Sequence, residues 1–169
     1  FFIKDFSSFI NAKAILNLWA GVDDLINNET IIKPVVRLVD EGVKQGMVEW
    51  CVAHVLRHHL GLDTHIKNQD GIWRSNTIPP LATDTTVGVL GLGTLGGAVA
   101  QTLADIGFKV NGWSQSEKHI PNVKSFTGQN KLTDVLRSAQ ILIILLPLTP
   151  ETKYIINSST LIKLPKDSV

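Results

Sequence analysis

The sequence predicts an α/β protein built on a doubly wound parallel sheet. Two observations predict it. First, a short apolar strand, Val87-Gly88-Val89-Leu90, runs straight into Gly91-Leu92-Gly93-Thr94-Leu95-Gly96, and those glycines open an amphipathic helix. Second, strand-like and helix-like stretches alternate from there to Val169, the pattern of a parallel sheet covered on both faces.

The elements follow in order. Ala14-Ile15-Leu16-Asn17-Leu18 is expected as a buried strand that ends in the turn Trp19-Ala20-Gly21-Val22-Asp23, with a short helix after it to about Asn27. Pro34-Val35-Val36-Arg37-Leu38-Val39 is a second short strand. A helix is expected over 47–60, because Val48, Cys51, Val52, Val55, Leu56 and Leu60 recur every three or four residues, and Gly61 suits its stop. Residues 62–85 are polar and rich in turn formers, with Asn76, Pro79 and Pro80, and are expected as a connection over the surface. Strand 86–90 leads to helix 94–106, with Leu95, Val99, Leu103 and Ile106 on one face and Gly107 at its end. A strand over 108–113, a weak strand over 123–126, a helix over 132–138 and a fully buried strand over 140–146 follow. Pro147-Leu148-Thr149-Pro150 breaks the chain, and Asn157 is a good N-cap for a helix over 158–163.

Composition narrows the class. With 44% hydrophobic and 18% charged residues the chain is ordinary globular material, long enough for one to two domains. The net charge is +1 with no block of like charges, so neither a nucleic-acid nor a membrane partner is expected. The longest apolar run, 141–146, is too short to span a bilayer. Cys51 is the single cysteine, which rules out an internal disulfide and fits a reducing, cytoplasmic compartment; no signal peptide is expected. The chain starts at Phe1 and ends on Lys166-Asp167-Ser168-Val169, read as a turn feeding a new strand. The expectation is a piece of a longer protein, cut at both ends, whose truncated sheet is prone to aggregate when expressed alone. Residues 1–43 are assigned to one partial domain and 44–169, including helix 47–60 and connection 62–85, to a second.

The glycine run carries the chemistry. Gly-x-Gly-x-x-Gly between a strand and a helix is the turn of a Rossmann-type dinucleotide domain. Gly91 permits a tight turn, Gly93 lets backbone amides approach a pyrophosphate, and Gly96 lets helix and strand pack closely. The helix N-terminus, worth roughly +0.5 charge, points at the same place. About 20 residues further on, NAD-binding units carry an acid for the ribose hydroxyls. Here the strand ends Val110-Asn111-Gly112-Trp113-Ser114-Gln115-Ser116, with Ser114 at the acidic position and Lys118 close by. A carboxylate against a 2′-phosphate would cost on the order of 4 kcal/mol per charge pair at close range and an effective dielectric of ~20. Hydroxyls and a cation in its place favour NADP(H) over NAD(H), with a loop that binds no phosphate as the other reading. Trp113 is placed near the adenosine end, while Trp19, Trp50 and Trp73 read as packing residues. His54 and His58 stand at helical i, i+4 spacing but have no third ligand in sight, so a solvated or interface-facing surface is preferred over a metal site. None of the histidines, nor Arg37, Arg57, Arg74 or Arg137, is read as catalytic.

Together these residues give a resemblance over nearly the whole chain. The sequence resembles the D-isomer-specific 2-hydroxyacid dehydrogenases and, within them, the glyoxylate/hydroxypyruvate reductase A branch. Ala20-Gly21-Val22-Asp23 resembles the family's substrate loop. Met47-Val48-Glu49-Trp50 with Val55-Leu56-Arg57 resembles its long helix. Gly112-Trp113-Ser114-Gln115-Ser116 is similar to the branch's 2′-phosphate loop. Leu146-Pro147-Leu148-Thr149-Pro150-Glu151-Thr152 followed by Ile155-Ile156-Asn157 is the most specific stretch.

The resemblance implies a partial flavodoxin-like substrate domain ahead of the Rossmann-type one. It implies transfer of hydride from NAD(P)H to a small 2-oxo acid. Backbone amides of Ala20, Gly21 and Val22 would bind the substrate carboxylate. The cofactor would lie against Gly91, Gly93, Thr94, Leu95, Gly96, Ser114, Gln115, Ser116, Lys118, Leu146, Pro147 and Leu148. Helix 47–60 would pair two copies into a homodimer. Two departures stand out. Trp19 stands where the family commonly has glycine, and Gln115 replaces the branch's arginine. The family's catalytic arginine, glutamate and histidine are expected beyond Val169, so no catalytic residue is assigned within this chain and it is expected not to turn over by itself. The alternatives are a nucleotide-binding corepressor of the same family, or another nucleotide enzyme of the same fold such as a methyltransferase or flavoprotein.

Overall fold

The computed structural model describes residues 3–75 and 78–169, apart from the side chain of Ile26. Phe1 and the expected turn residue Asn76 lie outside them. Two parallel sheets organise the chain. The smaller pairs β1 (Ile15–Asn17) with β2 (Val35–Arg37), Ile15 opposite Val35, with α1 (Asp23–Ile26) between them. The larger has four strands, β3 (Thr86–Leu90), β4 (Lys109–Ser114), β5 (Val123–Thr127) and β6 (Ile141–Ile144), in the spatial order β5-β4-β3-β6. All its pairs are parallel, so each of the three connections is a crossover, and two carry a helix: α4 (Thr94–Ile106) between β3 and β4, and α5 (Gln129–Ser138) between β5 and β6; the short α6 (Ser158–Leu161) follows β6. Ahead of the sheet come α2 (Glu41–His59), α3 (Leu62–Lys67) and a 3-10 turn over Ala82–Asp84.

The alternation of side chains along β3 splits the core in two. Val87 and Val89 face α2 and α4, in a buried cluster with Val48, Cys51, Val99 and Leu103. Leu90 faces α5, with Trp113, Leu132, Val135 and Leu136. Helices therefore cover both faces of the sheet, as expected of a doubly wound fold. The α5 side packs so closely that a Cβ on Gly88 would stand 2.7 Å from the Ala139 Cβ. Among the described residues no helix is long and apolar enough to cross a membrane.

The expected bounds hold for β3 and α4, and differ elsewhere for physical reasons. The helix expected over 47–60 starts at Glu41, because Asp40 caps it by accepting from the Val43 amide at 3.1 Å. Its first turns carry Gly42 and Gly46 and no apolar stripe, so periodicity could not find them. Gly61 does end it, at φ 63°, but the chain turns at once into α3 instead of a plain connection. Arg57 and Asp63 bridge the two helices, Nε to Oδ1 at 2.9 Å. The strand expected as fully buried over 140–146 has a shorter ladder, and Ile144 is 48% exposed. Its outer edge is paired by Val169, which accepts from the Leu142 amide at 2.7 Å and donates to the Gln140 carbonyl at 3.0 Å. β1 is not buried either: Leu16 and Leu18 are 73% and 81% exposed, since no layer of the described residues covers that side of the small sheet. Trp19, Trp50 and Trp73, expected in packing, are exposed, and so is Ile106 at the end of the apolar face of α4.

Candidate nucleotide cleft and the loop tied to it

In an open parallel sheet ligands gather outside the carboxyl ends of the strands, where the strand order reverses. Here that point lies between β3 and β6, and Gly91 stands in it. Gly91 has φ 99°, and a Cβ there would sit 2.5 Å from the Leu145 carbonyl oxygen, so the turn is wedged onto the exit of β6. Gly96 is tighter: a Cβ would lie 1.8 Å from the Gly91 carbonyl oxygen. Gly93 is the opposite case, with nothing within 4 Å of its Cβ position. It is the N-cap of α4 and offers no side-chain cap, so the first-turn amides of Thr94, Leu95 and Gly96 are left for an outside acceptor. A missing side chain over uncapped amides is the cradle a pyrophosphate fits, and the helix end favours its charge.

The end of β4 supplies the second wall. Ser114 is buried and its hydroxyl donates to the Ser116 carbonyl at 2.6 Å, so it shapes the loop. Gln115 and Ser116 are exposed and Lys118 is half-buried. Trp113 stands at the expected strand end, but its ring is only 6% exposed. It pairs with Leu90 in register, faces α5 and donates Nε1–H to the Gly128 carbonyl at 3.0 Å, so it is core and does not line the cleft.

The third wall follows β6. Leu146 reaches within 3.2 Å of the Gly91 Cβ position. Beyond it the loop is held from inside: the Thr149 amide donates to the Thr152 hydroxyl at 2.8 Å, and that hydroxyl donates to the Pro147 carbonyl. Hydrogen bonding from Thr149 holds the Glu151 carboxyl below its usual range. The Leu148 amide donates to Asp23 Oδ1 at 3.0 Å, across 125 residues of sequence.

Asp23 opens α1, directly after the loop 19–22 that leaves β1. Asn17 Nδ2 donates to the carbonyls of Trp19 at 3.0 Å and Gly21 at 2.7 Å. With the loop's carbonyls drawn to Asn17, the amides of Ala20, Gly21 and Val22 find no acceptor among the described residues. Val22 also lines a cavity of about 440 Å³, together with Leu25, Asn28, Ile31, Val35 and Arg37. Neither Asn17 nor the Asp23–Leu148 bond was legible from spacing.

The remaining candidates stay apart from the cleft. His54 stacks on Trp50 with ring centroids 4.0 Å apart, and its Nδ1 lies 2.8 Å from the Trp50 carbonyl. Among the described residues no three His, Cys, Asp or Glu side chains gather as a metal site. Cys51 is buried in the core, and burial raises its thiol pKa.

The chain has relatives among known proteins. It is 40% identical over 162 residues to glyoxylate/hydroxypyruvate reductase A of Yersinia enterocolitica, covering 90% of this chain and 51% of that protein. The chain spans about half the length of the curated relatives it matches. Its fold matches the crystal structure of a D-isomer specific 2-hydroxyacid dehydrogenase from Xanthobacter autotrophicus in complex with NADPH and MES, at TM-score 0.89 and 40% identity over 95% of this chain and 51% of that one. It also matches an NADPH-dependent glyoxylate/hydroxypyruvate reductase from Sinorhizobium meliloti in complex with NADP and sulfate, at TM-score 0.80 and 36% identity over 90% of this chain and 48% of that one. Residues 50–169 match the NAD binding domain of the D-isomer specific 2-hydroxyacid dehydrogenases, and with the glycine turn, the strand order and these likenesses in agreement, the chain belongs to that family.

Proposed function

We propose that this chain is part of an NADPH-dependent reductase of small 2-oxo acids, of the glyoxylate/hydroxypyruvate type. The observation that carries the reading is the contrast within the glycine turn: Gly91 and Gly96 are locked by backbone, while Gly93 is open above uncapped amides. In this reading Gly91, Gly93, Thr94, Leu95 and Gly96 receive the pyrophosphate. Leu146, Pro147 and Leu148 flank the nicotinamide half. The preference for NADP(H) rests on Ser114 in place of an acid, with Gln115, Ser116 and Lys118 following it, and is supported by relatives solved with NADPH and NADP.

When bound, the reduced nicotinamide supplies hydride to the carbonyl carbon of the 2-oxo acid. The amides of Ala20, Gly21 and Val22 hold the substrate carboxylate, presented by the Asn17 clamp on the loop's carbonyls. The proton donor and the anchoring arginine are assigned to no residue of this chain. The exposed Trp50 on α2 supports pairing of two copies through that helix, and a cytoplasmic setting suits the single thiol.

Titration with NADPH and NADH, followed by nicotinamide fluorescence, tests the reading. NADPH is expected to bind more tightly than NADH. Binding of neither would overturn it, and tighter NADH would reverse the cofactor preference.

A further inference from the structure

Among the described residues, a single hydrogen bond joins the small-sheet segment, residues 3–40, to residues 86–169: Leu148 N–H to Asp23 Oδ1 at 3.0 Å. Its two ends are not ordinary surface. On one side, Asp23 directly follows Ala20-Gly21-Val22, and its other carboxylate oxygen lies 3.4 Å from where a Gly21 Cβ would be. The carboxylate thus rests against the loop whose amides are free. On the other side, the amide belongs to a loop with little freedom. Pro147 and Pro150 restrict its backbone, Thr152 ties Thr149 to Pro147, and Leu145 and Leu146 abut the Gly91 turn. A stiff path therefore runs from the glycine turn through 145–148 to Asp23 and the loop 19–22.

We propose that Asp23 is a positioning residue that latches the 2-oxo-acid loop to the nucleotide cleft and so couples the two ligand sites. The role rests on the function proposed above. A bond from an amide to a charged acceptor is stronger than a neutral one and directional, so it holds the two loops in one relative placement. A nucleotide that orders the 145–148 segment then also orders the carboxylate-binding amides, and a second ligand finds part of the ordering already done.

The test uses this chain, with NADPH and oxalate (a carboxylate mimic of a 2-oxo acid) as probes. Asp23→Ala is expected to speed hydrogen exchange of the Leu148 amide about tenfold, the loss of one charge-assisted bond. Asp23→Asn keeps an acceptor and should keep most of the protection. In the unsubstituted chain NADPH should tighten oxalate binding about fivefold. Asp23→Ala should abolish that factor while changing the NADPH affinity less than twofold, with Asp23→Asn rescuing it, a split that general loosening would not give. Asp23→Ser, whose hydroxyl is too short to reach the Leu148 amide but suits the first position of a helix, should lose the same factor, which keeps the test open if Asp23→Ala fails to fold. Unchanged Leu148 exchange in Asp23→Ala, or coupling that survives loss of the bond, overturns the latch. No NADPH binding to the unsubstituted chain would instead overturn the functional reading, leaving the exchange result to decide whether the bond exists.

Discussion

The glycine turn and the loop 19–22 are held in different ways. The turn is fixed by backbone against backbone: Gly96 against the Gly91 carbonyl, Gly91 against the Leu145 carbonyl, all beneath a buried core. The loop is fixed by side chains reaching backbone, Asn17 to two carbonyls and Asp23 to one amide, on a small sheet whose Leu16 and Leu18 stand largely in solvent. A backbone-locked site tolerates no added atom but needs no particular side chain. A side-chain-held site tolerates bulk and fails when one polar group is lost.

Substitutions can break or sharpen that contrast. The largest effect belongs to Gly96→Ala: its Cβ has no room, so the turn or helix must shift, at a cost of about 3 kcal/mol or more, and thermal melts should show it. Leu103→Ala, in a side chain with 0% exposure packed under the same sheet, should cost about 2–5 kcal/mol in denaturant unfolding. Gly93→Val separates binding from folding. Its Cβ enters open space, so stability should stay within about 1 kcal/mol while NADPH affinity falls about tenfold or more in a fluorescence titration. Leu16→Ser and Leu18→Ser should leave the melt within about 0.5 kcal/mol of the unsubstituted chain, because both side chains are already wet.

The smallest effect is one of pH. Arg74 beside Asp70, with the Ile72 amide, lowers the Asp70 carboxyl from 3.8 to about 2. A depressed carboxyl favours the folded turn above the unfolded value. That preference fades as pH falls from about 4 through about 2, and a carboxyl-carbon NMR titration of Asp70 should show the low midpoint and Arg74→Ala should raise it.

These two regions were also unequally legible in the sequence. The bounds of β3 and α4 follow from apolar patterning closed by Gly91 and Gly107, because local sterics there admit one solution. The capping of α6 by Asn157 was legible for the same reason: its side chain accepts from the Ser159 and Thr160 amides, a few residues away. Residues 41–46 were not legible as helix, since what fixes them is the Asp40 cap rather than an apolar face. Trp113 was placed at the right strand end but on the wrong side, a matter of strand parity: Gly112 faces Leu92 on one side, so Trp113 must face α5 on the other. The Asp23–Leu148 bond joins residues 125 apart, and no local pattern encodes it.

The strand order has a kinetic consequence. β3 meets β4 after one helical crossover, but it meets β6 only when residues 54 apart close, as in the bond from the Thr86 amide to Gln140. Roughly doubling the loop adds about 0.6 kcal/mol of closure entropy, and pairings so distant in sequence slow folding. The crevice between β3 and β6 is therefore expected to assemble after the β3–β4 half of the sheet. A chain caught part-way through refolding would already own its glycine turn, and would still lack the Leu145 wall against which that turn is wedged.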